Sequence, residues 1–267
     1  MPTWDANQYL RFGDERARPC HELAARISIS APHRVIDLGC GPGNSTAVLA
    51  RRWPGAQLTG FDSSSDMIAA ARKSAPNGDW RIGDIAAWAD EAKETGETFD
   101  VVFSNAALQW VGNHAELFPK LFKRVAPAGA LAIQMPGNFG APAHQIMRDL
   151  AASPQWREHF GNRTVREWYV HDLGFYYDLL APPAAAMDFW KTEYLHVFPD
   201  AAAIMEWYKG SGLRPFLEAL SSDALRDAFC RAYLECIRQA YPACTDGRVA
   251  FPFRRLFMIA YQKADEK

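Results

Sequence analysis

The stretch VIDLGCGPGNST, residues 35–46, decides how this chain folds. Val35, Ile36 and Leu38 make a short apolar run between Pro32 and Gly39, the pattern of a buried strand. The run breaks into Gly39, Gly41 and Gly43, and helix-compatible residues (Ala47, Val48, Leu49, Ala50) follow. A strand feeding a glycine-rich turn and then a helix is built to hold a nucleotide-like ligand, because glycine permits positive φ and lets backbone amides approach closely.

The spacing narrows the ligand. A dinucleotide fingerprint, G-x-G-x-x-G, needs glycine three residues after its second one. Here that position is Asn44, and the third glycine is Gly43. Asp37 also stands just before the turn, where an acidic group suits a ligand bearing a positive amino group better than a pyrophosphate.

Working outward, the chain alternates strands and helices. A helix to about Trp53 breaks at Pro54-Gly55, and a second strand, Leu58 to Phe61, ends on Asp62. An acid there, roughly twenty residues beyond the glycines, is placed to accept ribose hydroxyls. Met67 to Ala75 continues as a helix, a third strand lies around Trp80 to Ile82, and Val101 to Phe103 read as the central fourth strand. Its end presents Ser104, Asn105, Gln109 and Trp110; a helix, Leu117 to Val125, and a fifth strand, ALAIQM, follow. This rhythm predicts a parallel sheet with right-handed crossovers.

The flanks are less regular. Near the N-terminus Pro19 can open a helix burying Leu23, Ala24 and Ile27, either as a helix packed on the core or as a lid whose aromatics and arginines close on an anion. In the second half, helices are predicted over Ala143 to Ala152, Ala201 to Lys209 and Ser222 to Ala240, with β-leaning runs at Asp188 to Phe198 and Arg254 to Gln262. Without repeats or low-complexity linkers, the 267 residues read as a single domain. Its core sheet covers about 32–137 with final strands near 188–198 and 254–262, and cap elements fall at about 1–30, 143–180 and 200–241.

Composition sets limits on partners. With 49% hydrophobic and 22% charged residues the chain suits a globular fold with a substantial core, and a formal net charge of −2 disfavours general nucleic-acid binding. Five cysteines without a Cys-x-x-Cys pair, no long apolar run and no signal-like N-terminus point to a cytoplasmic protein, with no membrane association and no obligate protein partner implied. Cys40, with no base beside it in sequence, reads as a small buried residue rather than a nucleophile. No cluster of carboxylates suited to a hard cation appears at the strand ends, so no metal is expected.

VIDLGCGPGNST, the FD at 61–62, the GDI at 83–85 and NAALQWV at 105–111 stand in the order seen in class I S-adenosylmethionine-dependent methyltransferases, which the chain resembles. The resemblance implies a Rossmann-like α/β fold: a seven-stranded, mostly parallel sheet with an antiparallel last strand, helices on both faces and an added helical cap. It also implies S-adenosyl-L-methionine as cofactor. Asp37, Gly39, Gly41 and Asn44 would lie at the glycine turn near its methionine part, Asp62 on the ribose, and Ser63 and Met67 beside the adenosine. Asp84 and Ile85 would lie near the adenine, and Asn105 close to the sulfonium.

Asn105-Ala106-Ala107-Leu108 is not the Asp/Asn-Pro-Pro-aromatic element of base-directed amino methylases. YLRFGDERARP (9–19), NAALQWV, GLRPFLEAL (212–220) and the GRV…RRLFMIAY segment (247–261) resemble instead the trans-aconitate methyltransferases. That implies methylation of a carboxylate on a small unsaturated tricarboxylic acid, giving a monomethyl ester. The chemistry suits what the sequence lacks. A carboxylate with pKa near ~4 is already ionised at neutral pH, so no general base is required. What remains is positioning, with the oxygen roughly 3 Å from the methyl carbon, and shielding from water, because anion and sulfonium cancel charge. Arginine forks match the remaining carboxylates.

Candidates for binding the acid are Arg16, Arg18, Arg214, Arg248, Arg254 and Arg255, with Tyr9, Phe12, Gln109, Trp110 and His114 as walls or donors. Two other acceptors fit the same cofactor half. A carrier-bound malonyl group would need an exposed basic surface, and a ubiquinone-type carbon acceptor would need a greasy channel and a base.

Overall fold

The computed structural model describes residues 13–91, 96–161, 165 and 168–265; the side chains of residues 13–16 are not among those described. Seven strands form one sheet, β1 (Arg34–Leu38), β2 (Gln57–Asp62), β3 (Asp79–Ile82), β4 (Phe99–Asn105), β5 (Val125–Pro136), β6 (Ala184–Phe198) and β7 (Val249–Gln262). Their order across the sheet is β3-β2-β1-β4-β5-β7-β6. The first five strands pair in parallel, and β7 runs antiparallel to both of its neighbours. The sequence reversal between β1 and β4 places a crevice at the carboxyl ends of those strands, where ligands of open α/β sheets bind.

Strand parity explains the two faces. Val35, Val101, Phe103 and Ala132 point to one side, where α1 (Gly13–Arg26) and α2 (Asn44–Arg52) cover them with Leu23, Ile27, Val48 and Leu49. Ile36, Leu38, Val102 and Ile133 point to the other, against α4 (Ile85–Asp90), α5 (His114–Phe122) and α8 (Leu173–Leu180). Helix α3 (Ser65–Ser74) follows β2, and its Ser64 cap accepts from the Met67 amide. Helix α1 begins before Pro19, which sits inside it, and Val125 opens β5 rather than closing α5.

The last two strands are longer than the periodicity suggests. Pairing of β5 with β7 stops at Pro136–Arg255, whereas β6 and β7 stay paired as far as Phe198–Val249. The resulting two-stranded ribbon leaves the main sheet and enters a second core with Phe251, Phe253 and Phe198. That core is completed by α6 (Pro142–Ala152), α7 (Arg157–Phe160), α9 (Ala201–Lys209), α10 (Arg214–Ala219) and α11 (Asp223–Ala240). Thus a cap rises beside the carboxyl ends of the strands.

Candidate active site

A cavity of about 440 Å³ opens where the switch-point crevice was expected. Its floor is the glycine turn. Gly39 and Gly41 adopt φ of 74° and 54°, in the left-handed region that favours glycine. A β-carbon on Gly39 would lie 2.1 Å from that of Ala107, so the turn can nest against the β4 loop only without a side chain. At Gly41 the same position meets no atom within 4 Å, which leaves the backbone open toward the cavity.

Three carboxylates surround this floor in different ways. Asp62 accepts from the amides of Gly41 (2.9 Å) and Ser64 (2.8 Å), so it shapes the turn while lining the cavity. Asp84 caps α4 by accepting from the Ala87 amide at 3.0 Å, and it too lines the cavity. Asp37 lies beneath the turn, only 1% exposed, and one oxygen, Oδ2, accepts from the hydroxyls of Ser45 and Thr46, each at 2.6 Å. Its other oxygen, Oδ1, is buried without a partner. Burial pushes the Asp37 carboxyl up to about 6, with the two hydroxyls opposing the shift and Asp62 adding to it.

Asn44, Ser63, Met67, Ile85 and Asn105 line the same cavity, and Oδ1 of Asn105 is likewise buried and unpartnered. Orphaned acceptors beside a set of acids fit a ligand that brings ammonium and hydroxyl donors. Ala17 and Cys20 of α1 close one side. Burial pushes the thiols of Cys20 and Cys40 up, so both walls are inert thiols rather than nucleophiles.

Beyond the end of β4 the chain makes a tight, strained loop. Ala106 takes φ of 55°, which a residue with a β-carbon holds only when its surroundings impose it. Its amide donates to the Gln134 carbonyl at 2.9 Å, and its own carbonyl accepts from Nε2 of Gln109 at 2.6 Å. Ala106 and Trp110 line both the first cavity and a second, smaller one of about 80 Å³ under the cap. The second chamber reaches Gln109, Asn138, His144, Trp168, Tyr208 and Arg255.

Several predicted acceptor-site residues are placed elsewhere. His114 is buried away from both cavities: Nδ1 meets the Tyr176 hydroxyl at 2.8 Å and Nε2 the Leu108 carbonyl at 3.0 Å, and burial lowers its pKa. It is a core histidine that fixes the 108–110 turn, not a wall of the site. Arg214 lines neither cavity, since Nε is engaged by Glu218 at 2.6 Å, one turn along α10. Arg248 pairs with Asp246 in an exposed turn, and Arg254 faces Glu193 across the outer side of the β6–β7 ribbon. Arg18 is exposed and stacks on the Tyr194 ring at 4.7 Å. Tyr9 and Phe12 lie outside the described residues, as does the Arg16 side chain.

Arg255 is the predicted arginine that lines the second chamber, 5% exposed and 4.4 Å above the Phe253 ring. Asn138, His144 and Tyr208 were missed by sequence reasoning, because the cap brings them in from separate segments. Only the inward parity of Val249, Phe251, Phe253 and Phe257 could have marked Arg255 as the inward member of its Arg-Arg pair.

Comparison with known proteins agrees with this geometry. A methyltransferase domain family model matches residues 35–129. The trans-aconitate 2-methyltransferase of Paracidovorax citrulli is 47% identical over 264 residues, covering 99% of this chain and 100% of the relative. That of Variovorax paradoxus is 46% identical over the same span, covering 99% and 100%. Among solved structures, the YcgJ protein from Bacillus subtilis superposes with a TM-score of 0.59 at 13% identity, covering 93% of this chain and 99% of that one. At this identity the structural likeness speaks for the fold alone.

Proposed function

The chain belongs to the trans-aconitate 2-methyltransferase family of S-adenosylmethionine-dependent enzymes, and from that membership we propose that it transfers a methyl group to a carboxylate of trans-aconitate, releasing the monomethyl ester. The observation that carries this reading is a pair of cavities meeting at Ala106 and Trp110, one lined by acids and the other by a buried guanidinium. The acidic cavity would hold S-adenosylmethionine. Asp37 would face its ammonium, Asp62 the ribose hydroxyls and Asp84 with Ile85 the adenine, while Asn105 would stand near the sulfur. When bound, the cofactor supplies an electrophilic methyl on a positively charged sulfur.

The chain's own work is positioning and exclusion of water. An acceptor carboxylate is ionised at neutral pH, so the protein needs no base to activate it. The strained turn at Ala106 and the Trp110 ring form the shared wall, and Gln109 is held against that turn by its bond to Ala106. A small chamber lined by Arg255 and aromatic rings supports a free small acid over a malonyl group delivered on a carrier protein, which would seek an open basic face. We further read the chain as one catalytic unit acting in the cytoplasm on small molecules, without nucleic acid or an obligate partner. Five free cysteines and a net charge of −2 support that reading. Among the described residues no helix is long and apolar enough to cross a membrane.

The test is a methyl-transfer screen over di- and tricarboxylic acids followed by mass spectrometry. Trans-aconitate gains one methyl in a base-labile ester; no turnover of any tricarboxylate would remove this acceptor from consideration.

A further inference from the structure

Strand β6 ends the sheet in a way that single chains usually avoid. It pairs with β7 on one side only, and among the described residues no strand meets its other side. An open edge is a template for another strand, and proteins blunt it with proline, bulges, short length or charges that repel a second copy. β6 runs from Ala184 to Phe198 without a proline, and its register with β7 shifts only between Ala184 and Ala186. Two of its side chains, Leu195 and Val197, are 61% and 54% exposed, in a run whose alternate residues are buried. Tyr177 of α8, 53% exposed, meets the Phe189 ring edge-on at 6.5 Å. Three of the five large apolar side chains left exposed among the described residues therefore gather along this edge.

The helices on either face leave the edge accessible. Helix α1 packs over β5 and reaches β6 by the long side chains of Arg18, Glu22 and Arg26. Helix α8 lies on the other face, against Phe189 near the start of the strand. Beyond it Lys191, Glu193, Leu195 and Val197 all point to that second face, since residues two apart share a side, and all four are exposed. On the same face Arg254 of β7 stands 3.6 Å from Glu193.

The spacing of these charges identifies the occupant. We propose that a second copy of this chain pairs with β6 in antiparallel fashion, about a two-fold axis beside Thr192, joining the two sheets into one. About that axis Lys191 stands opposite the partner's Glu193, and symmetry repeats the contact. A row across the joint then runs from Arg254 to Glu193 to the partner's Lys191, with alternating sign, the arrangement that favours cross-strand pairs. Moving the axis to Lys191 or Glu193 sets like charges against each other, and an axis between residues mismatches the two faces. The register about Thr192 also lays Leu195 on the partner's Phe189 and Val197 on the partner's Met187, which covers the exposed apolar side chains. Lys191 and Glu193 thus select a second copy where charges of one sign would repel it. No β6 residue lines either cavity, so each copy keeps both cavities and the chemistry does not depend on the pairing.

Sedimentation velocity of the full chain across a micromolar concentration series tests this. Wild type forms a dimer. Lys191→Glu and Glu193→Lys each set like charges opposite one another at both symmetric contacts, and weaken the dimer by at least about tenfold. Mixed in equal amounts the two variants associate again, because one presents two acids and the other two bases. A wild type that stays monomeric overturns the pairing and leaves the edge to a strand of some other chain. A dimer that either reversal leaves intact overturns β6 as its surface, and variants that weaken it without recovery on mixing overturn the register at Thr192.

Both positions are exposed, and circular dichroism shows whether the variants are folded. Should Glu193→Lys fail to fold for want of its contact with Arg254, amide exchange in wild type decides. Protection over residues 187–197 that rises with protein concentration supports the pairing, and exchange independent of concentration rejects it.

Discussion

Asp37 carries two opposed demands at one residue. Its buried carboxyl titrates near 6 in the cofactor-free fold, above the 3.8 of an unhindered aspartate. The unfolded chain therefore releases this proton first as pH rises. The contribution to stability is full below the unfolded value and is lost as pH passes through about 6. Cofactor-free Asp37→Asn should accordingly melt at a higher temperature than wild type at about pH 8, with the difference vanishing toward acid pH. An ammonium ligand favours the ionised form, so S-adenosylhomocysteine affinity should fall by about tenfold per pH unit below the Asp37 pKa in wild type and stay flatter in Asp37→Asn. Calorimetric titrations across that range check both slopes; parallel profiles would separate Asp37 from the ligand's amino group.

Residue-level reading of the sequence was uneven for reasons of the same kind. The acids and glycines of the cofactor half were legible because each sits at a fixed offset from a strand end, a local property. The arginines were not, because a strand turns neighbours to opposite sides. Arg254 points outward to Glu193 while Arg255 is buried, and composition treats the two alike. His114 looked available because it follows the β4 loop, yet Tyr176, 62 residues away in sequence, claims its ring.

Among the elements, α1 has the most conditional place. It covers the sheet with Leu23, Ala24 and Ile27 and lends Ala17 and Cys20 to the cofactor cavity. Its attachment to β6 is polar: the Glu22 carboxylate accepts from Trp190 Nε1 at 2.9 Å, Thr192 Oγ1 at 2.7 Å and the Tyr194 hydroxyl. Arg26 adds an ion pair with Asp188 at 2.9 Å. Partial burial pushes the Glu22 carboxyl up, but the three donors, led by Tyr194, hold it below the ordinary range. This contribution is present above the unfolded carboxyl value and fades as pH falls through the lowered one.

Glu22→Ala should cost about 1–3 kcal/mol by leaving three donors without their acceptor. It should also raise the KM for S-adenosylmethionine more than that for the acid, since α1 borders the cofactor cavity. Thermal melts and initial rates test this; a stability loss with unchanged cofactor KM would make Glu22 a purely structural tie. The two sequence readings of this segment, packed helix and lid, meet here: α1 is packed on the core and also walls the cavity.

At the scale of the molecule, apolar cores lie on both faces of the sheet and a further one fills the cap. Strands and crossover helices of the sheet were readable because their pattern repeats within a few residues, and so were the cap helices at 142–152, 201–209 and 223–240. How those helices pack was not, since Met147, Trp207, Phe229 and Phe251 meet only after the long ribbon has folded across. Binding of S-adenosylhomocysteine should therefore slow amide exchange in residues 39–46, 62–67, 84–90 and 105–111 and leave α9 and α11 unchanged. Hydrogen-exchange mass spectrometry resolves these segments. Protection spreading evenly into α11 would show instead that the cap responds to the donor as one body with the sheet.

The ribbon of residues 249–254 and its β6 partner, which leaves the sheet at Arg255, has a consequence for how such enzymes diversify. Every described residue that lines the donor cavity lies before Pro136, while the chamber is furnished chiefly by residues 136–255. New acceptors can be acquired by exchanging that insert between two fixed strand ends. A chimera carrying another methyltransferase's segment over 142–253, with Tyr176, Trp190, Thr192 and Tyr194 retained, would keep its grip on the donor and inherit a different taste in acids.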